Sequence, residues 1–221
     1  MLPASATPLR ADKGEPMSDR PKSSHQARVF AAVLLALCIP LAAGCGVNTI
    51  PTLDEKVKAA WAQVENQYQR RADLIPNLVE TVKGFAAQEK ETLIAVTEAR
   101  AKVGSMQVGR DVIDNPEALQ KFEKAQQQLG GAISRLMLVA ERYPDLKSNQ
   151  NFLALQSQLE GTENRISVAR RDYIQAVERF NTEIRTFPGR LWHSFLYSEL
   201  EMRETFEATT PDAEQAPKVS F

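Results

Sequence analysis

Between Thr52 and about Thr186 the apolar residues recur at alternating steps of four and three, a period that suits helices packed at small crossing angles. A first seam runs through Val57, Trp61, Val64, Tyr68, Arg71, Ile75, Leu78, Val82 and Phe85, then resumes at Leu93, Val96 and Val103. Thr52-Leu53-Asp54-Glu55 reads as a capping box that opens this helix. Pro76 lies inside it and removes one backbone hydrogen bond, so a kink or split is expected there, with Gly84 adding a second weak point. A second seam, Leu119 to Ala140 through Phe122, Gln126, Leu129, Ile133 and Leu136, starts at the cap Asp114-Asn115-Pro116 and stops at Tyr143-Pro144. A third runs from Phe152 to Phe180 through Leu155, Leu159, Thr162, Ile166, Ala169, Tyr173 and Ala176, with Ser148 as its expected cap and a length of about 58 Å. Strand signals are absent. The expected fold is all-α: an elongated antiparallel bundle of three long helices, the first kinked or split near Pro76 to give four, plus an irregular C-terminal tail.

Upstream of the bundle, Arg20, Lys22 and Arg28 precede nineteen uncharged residues, Val29 to Val47. A basic segment, an apolar run and small residues at its end make a secretory signal. The ending Leu41-Ala42-Ala43-Gly44-Cys45 resembles the bacterial lipobox, in which the cysteine is acylated and the leader is cut just before it. Residues 1–44 are thus expected to be a signal peptide, with Met17 as its start, and residues 45–51 a tether lipidated at Cys45. Gly46 rather than Asp follows the cysteine, which by the same resemblance suggests the outer membrane if the cell is Gram-negative. A retained span stays open as the alternative, because about 18 or more apolar residues can cross a bilayer. A core helix does not suit Pro40 and Gly44.

The expected leader carries five of the 27 basic and three of the 28 acidic side chains, which leaves 22 against 25 and a net charge of −3. No clustered basic surface of the kind nucleic acid requires is evident. Cys38 falls in the leader and Cys45 would be acylated, so no disulfide is expected within the mature chain. His193 would be the one histidine left, too few for a His-His or Cys-His metal cluster. It sits in an aromatic stretch that does not suggest a Ser-His-Asp arrangement. Gly130-Gly131 lacks the Lys-Ser/Thr of a phosphate loop. No catalytic residue, metal or cofactor is therefore assigned.

Arg71 occupies a seam position where an apolar residue is expected, beside Arg70 and Asp73. If the first and third helices run parallel, Glu160, Glu163 and Asn164 lie near its level. A structural polar layer of Arg71, Asp73, Glu160, Glu163 and Asn164 is expected, because a buried arginine needs a partner. An anionic-ligand site and simple exposure remain open. Residues 52–187 would form the bundle and residues 188–221 an aromatic segment and tail. Trp192, Phe195, Leu196, Tyr197 and Leu200 can fold back on the bundle or lie at a membrane surface. Phe206, Val219 and Phe221 could dock the tail in a concavity between Pro76 and Gly84.

The stretches "RRADLIPNLVETVKGFAAQEKETL", "ERYPDLKSNQNFLALQSQLEGTENRISVARRDYIQAVERFNTEIRTFPG" and "APKVSF" resemble the LemA family of bacterial proteins over about residues 50 to 221. The resemblance implies an elongated helical bundle exposed outside the cytoplasm behind an N-terminal membrane segment, and it implies no established activity. A lipobox where a retained anchor helix is usual departs from the family pattern. Two classes of function follow: a membrane-tethered, non-enzymatic scaffold or interaction protein of the envelope, or a carboxylate-dependent hydrolase or anionic-ligand-binding protein. Two carboxylates facing one cleft in opposed environments would favour the second.

Overall fold

A computed structural model describes residues 46–106 and 110–206. The expected leader, Cys45 with its lipid, and the tail residues Val219 and Phe221 lie outside the described residues. The fold is all-α, with no strand among the described residues: α1 (Thr49–Phe85), α2 (Lys90–Gly104), α3 (Arg110–Ile113), α4 (Pro116–Ala140), α5 (Pro144–Lys147), α6 (Gln150–Arg185) and α7 (Gly189–Leu196).

Helix α1 buries Ile50, Asp54, Val57, Trp61, Val64, Tyr68, Arg71, Ile75, Leu78 and Val82, one face of a helix throughout. It starts three residues before the expected capping box. Burial of Ile50 draws the first turn back, and the Thr52 hydroxyl then donates to the Asn48 carbonyl at 2.6 Å instead of capping Glu55. Helix α4 is capped as its sequence suggests, the Asn115 side chain accepting from the amides of Glu117 and Ala118. For α6 the cap is Asn149, not Ser148, whose hydroxyl donates to the Pro144 and Asp145 carbonyls and closes α5.

The helix does not split at Pro76. Having no N–H, Pro76 leaves the carbonyl of Ala72 without its helical partner. Arg100 of α2 supplies one, its Nε–H donating to Ala72 O at 3.2 Å. The split falls just past Gly84, where Ala86 leaves helical geometry (φ −132°, ψ 46°) and its side chain is fully buried. Helix α2 then folds back along the distal half of α1. The turn is tied to the α4–α5 corner: Gln88 donates to the Tyr143 hydroxyl at 2.8 Å, Tyr143 donates to Glu89 at 3.0 Å, and Arg142 pairs with Glu89 at 3.1 Å.

This extra hairpin reverses an expectation. With α1 and α2 antiparallel, α6 descends where α1 rises, so these two long helices pack antiparallel, as Trp61 against Tyr173 and Arg71 against Glu163 show. At 36 residues α6 is about 54 Å long, whereas α2, at 15, reaches only about 22 Å. The core accordingly divides in two. A distal, mainly aliphatic cluster gathers Ile75, Leu78, Val82, Leu93, Val96, Leu129, Leu136 and Leu159. A proximal, aromatic cluster gathers Trp61, Tyr68, Phe122, Tyr173, Phe180 and Phe206.

Beyond the reach of α2, the proximal half is closed by α3, α7 and the segment 197–206. Gly189 starts α7 so close to the end of α6 that a Cβ there would lie 2.1 Å from the Glu183 carbonyl oxygen. Only glycine permits that approach. Trp192 and Tyr197 pack on the proximal cluster, and the His193 ring Nε2–H donates to the Leu200 carbonyl at 2.8 Å.

Candidate functional site

Arg71 lies between the two apolar clusters and is 4 % exposed. Its Nη1 donates to Glu163 at 2.6 Å, its Nη2 donates to the side chain of Gln126 at 2.6 Å and to the Gln126 carbonyl at 3.2 Å, and the guanidinium stands 5.0 Å from the Tyr68 ring centre. The expected layer is thus partly redrawn. Glu163 meets Arg71, although through an antiparallel rather than a parallel pairing. Asp73 is exposed and accepts from Gln69 at 2.8 Å, Glu160 is exposed and accepts from Gln156 at 3.0 Å, and Asn164 faces outward. Asp73 is two positions from the seam residue Arg71 and so points to the other side of α1, while Glu160, Glu163 and Asn164 share an exposed face beside the seam residue Thr162, from which half-exposed Glu163 reaches Arg71. Gln126, itself a polar residue at a seam position, takes the place the sequence reading gave to Asp73. Beside it Arg170 pairs with buried Glu123 at 3.3 Å.

The layer predicts a specific mutational pattern. Arg71→Ala is expected to lower stability by about 2–3 kcal/mol, because Gln126 keeps a buried oxygen without a donor while half-exposed Glu163 can rehydrate. Arg71→Met with Gln126→Leu should recover most of that loss, since an apolar replacement needs no partner. Urea unfolding of the three proteins decides it: a double variant no better than Arg71→Ala would show that the layer is not a paired unit.

A second ionic node was not foreseen. Arg203, in the segment after α7, is buried and reaches α1, donating from Nη2 to Asp54 at 2.9 Å and from Nη1 to Asp114. Asn181 of α6 holds its backbone from both sides, accepting from the Arg203 amide and donating to its carbonyl, each at 2.9 Å. Burial would raise the Asp54 carboxyl, but hydrogen bonds from Lys58 and Arg203, with their charges, outweigh it and hold its pKa below the usual carboxylate range. The hydrogen bond to Asp54 in turn raises Lys58. Stepping the α1 seam back from Val57 lands on Asp54, so half of this node was marked in the sequence; Arg203 lies where no period runs.

Phe206 follows on the same segment and is nearly buried. It stacks on Trp61 (centroids 5.9 Å, 29°), meets Tyr173 edge-on at 5.4 Å, and carries the Arg170 guanidinium 4.2 Å above its ring. The Tyr173 hydroxyl donates to the Glu204 carbonyl at 2.9 Å, and burial first, with the charge of Glu204, raises its pKa. The segment therefore docks near the start of α1, not in a concavity between Pro76 and Gly84.

Two clefts of about 180 Å³ border the layer. One is lined by Glu65, Tyr68, Gln69, Met106 and Gln126, with Glu65 its single carboxylate; burial raises the pKa of Glu65 against a hydrogen bond from Trp61 at 2.7 Å. The other holds Arg71, Glu123, Glu163 and Arg170, two charges of each sign joined in pairs. Glu65 and low-pKa Asp54 are eleven residues apart on one helix, about 16 Å, too far to act on one bond. Among the described residues no group of three or more His, Cys, Asp or Glu is placed to hold a metal ion, and no helix is long and apolar enough to cross a membrane.

With this geometry in hand, comparison with known proteins is informative. The chain is 29% identical over 157 residues to each of two proteins of Paramagnetospirillum magneticum, magnetosome proteins MamQ 2 and MamQ 1, covering 64% of this chain and 58% of theirs. It is 23% identical over 155 residues to protein LemA of Metamycoplasma hominis, covering 70% of this chain and 65% of that one. The chain thus spans less than two thirds of the length of these relatives. The model of the LemA family matches residues 60–221, which takes in α1 from its twelfth residue and every later helix. The chain belongs to the LemA family.

Proposed function

We propose that this protein is a membrane-tethered, non-enzymatic interaction protein of the bacterial envelope, anchored through lipid on Cys45. The observation that carries this reading is how the buried charges are used: Arg71 with Glu163 and Gln126, and Arg170 with Glu123, join different helices, and Arg203 with Asp54 and Asp114 joins the segment after α7 to α1 and to the turn before α4. Charges spent in this way fix register between long helices and leave a rod that can hold a surface away from its point of attachment. The uncharged run Val29 to Val47 ends where the rod begins, which supports attachment at that end. Family membership supports a bacterial, membrane-associated setting.

Intact-mass analysis of the protein purified from membranes tests the tether. A mature chain beginning at diacylated Cys45 is expected, since two acyl chains give stable anchoring where one is marginal. An unmodified Cys45 still joined to Gly44 would replace the lipid by a retained span. The non-enzymatic part is tested separately by Glu65→Gln, Glu123→Gln and Glu163→Gln. Each is expected to restore the phenotype of a deletion strain as well as the parent does, and loss of function in a variant that still folds would promote the carboxylate hydrolase.

A further inference from the structure

We propose that α7 and the turn before it form a membrane-contact element, laying Phe187, Leu191 and Phe195 into the bilayer surface so that the bundle is held at a defined orientation. This deepens the tethered reading and rests on it. Phe187, in the turn before α7, is 82 % exposed; on α7 itself Phe195 is 79 % exposed and Leu191 and Leu196 are each about half exposed, while Trp192, and Tyr197 just past the helix, pack partly buried against the proximal core. Leu191 and Phe195 are one turn apart on α7 and form a short stripe, and Phe187 stands exposed in the turn that leads into the helix. Large apolar side chains left together in water beside a packed core mark a contact surface.

The position of the chain entry identifies the occupant. Gly46, the residue after Cys45, stands against α7: a Cβ there would lie 3.6 Å from the Trp192 indole nitrogen and 3.9 Å from Pro188. Pro188 is the neighbour of Phe187. Whether Cys45 carries a lipid or the uncharged run crosses the bilayer, the chain is joined to its anchor through Gly46, which stands against α7. A membrane is therefore within reach of α7 by connectivity alone, and an apolar face buried about 5–10 Å into the headgroup boundary is how an interfacial helix binds. The polar side of α7 fits the same surface. Arg185 and Arg190 line an open cleft of about 580 Å³ with His193, Ser194 and Ser198; no carboxylate lines it, and neither arginine has an ion-pair partner among the described residues. Lipid phosphate is the anion such a cleft would meet at a bilayer.

The test uses the full chain reconstituted through its own anchor into vesicles of phosphatidylcholine with brominated acyl chains, with and without phosphatidylglycerol. Trp61 and Trp192 are the two tryptophans, and Trp61 is in the core, so lipid-borne bromine reports on Trp192. Quenching is expected in the parent, stronger with phosphatidylglycerol, and lost in the triple variant Phe187→Ser, Leu191→Ser, Phe195→Ser, with Trp192→Phe as the signal control. The three positions are exposed, so the melting curve should not move; if it does, Phe195→Ser alone serves. A chain that floats with vesicles but shows no quenching, or equal quenching in parent and variant, overturns the proposal and leaves the tether intact. A triple variant that instead converts a dimer in detergent to a monomer overturns it too, by assigning the stripe to a second copy of the chain. Failure to float at all would remove the tether first, before any fluorescence is read.

Discussion

Replacing Arg203 by alanine is expected to cost about 3–5 kcal/mol, because it leaves the buried Asp54 carboxylate with only Lys58 against it and removes the ionic link between α1 and the segment after α7. Asp54→Leu combined with Arg203→Met should lose less than Arg203→Ala alone. The pH dependence carries the same signature. Asp54 is depressed in the folded protein, so its contribution is complete above the unfolded carboxylate pKa of about 3.9 and is lost as pH falls through the lower folded value. In Arg203→Ala the depression shrinks, and acid unfolding should begin at higher pH. Lys58 acts in the opposite direction, contributing below about 10.4 and losing its contribution as pH rises through its raised folded value. Urea unfolding at neutral pH and an acid titration followed by circular dichroism check both parts. A variant with the parent's stability and acid limb would show that the node is solvated.

Phe206→Ala should be of similar size, about 3–4 kcal/mol, since it removes a ring packed between Trp61, Tyr173 and Arg170 and reopens the aromatic core where α2 does not reach. Phe206→Leu keeps most of the volume and should cost less than about 1.5 kcal/mol. Denaturant midpoints give the magnitudes. Limited proteolysis adds the location, because detachment of the segment should make residues 198–206 the first site of cleavage. If Phe206→Ala unfolds like the parent and resists cleavage there, the segment is not part of the core.

These two residues also show where reading by period stops. Each long helix was legible because a continuous apolar stripe leaves one way to bury it, and the polar residues interrupting a stripe were legible as candidates for the interior: Arg71 and Gln126 both turn inward. Their immediate neighbours were not separable by the same means. Asp73 lies two residues from Arg71 in sequence and is exposed where Arg71 is buried. Pro76 was read for the backbone hydrogen bond it removes, but that loss is made good by Arg100, 28 positions in sequence from the Ala72 carbonyl it serves.

Periodicity alone dictated an all-α bundle of long amphipathic helices, their stop at Tyr143-Pro144 and the presence of a buried arginine, because those depend on residues within a few turns of one another. Tertiary packing decided the rest. The site of the first split depended on Ala86 finding a fully buried place and Glu89 finding Tyr143 and Arg142, and that split set α6 antiparallel to α1. The short reach of α2 left an aromatic core open, which a segment with no period of its own could fill through Arg203 and Phe206. Such a segment is held by partners as distant as Asp54, 149 positions from Arg203, and no local pattern encodes a contact whose energy appears only when both sides are already in place.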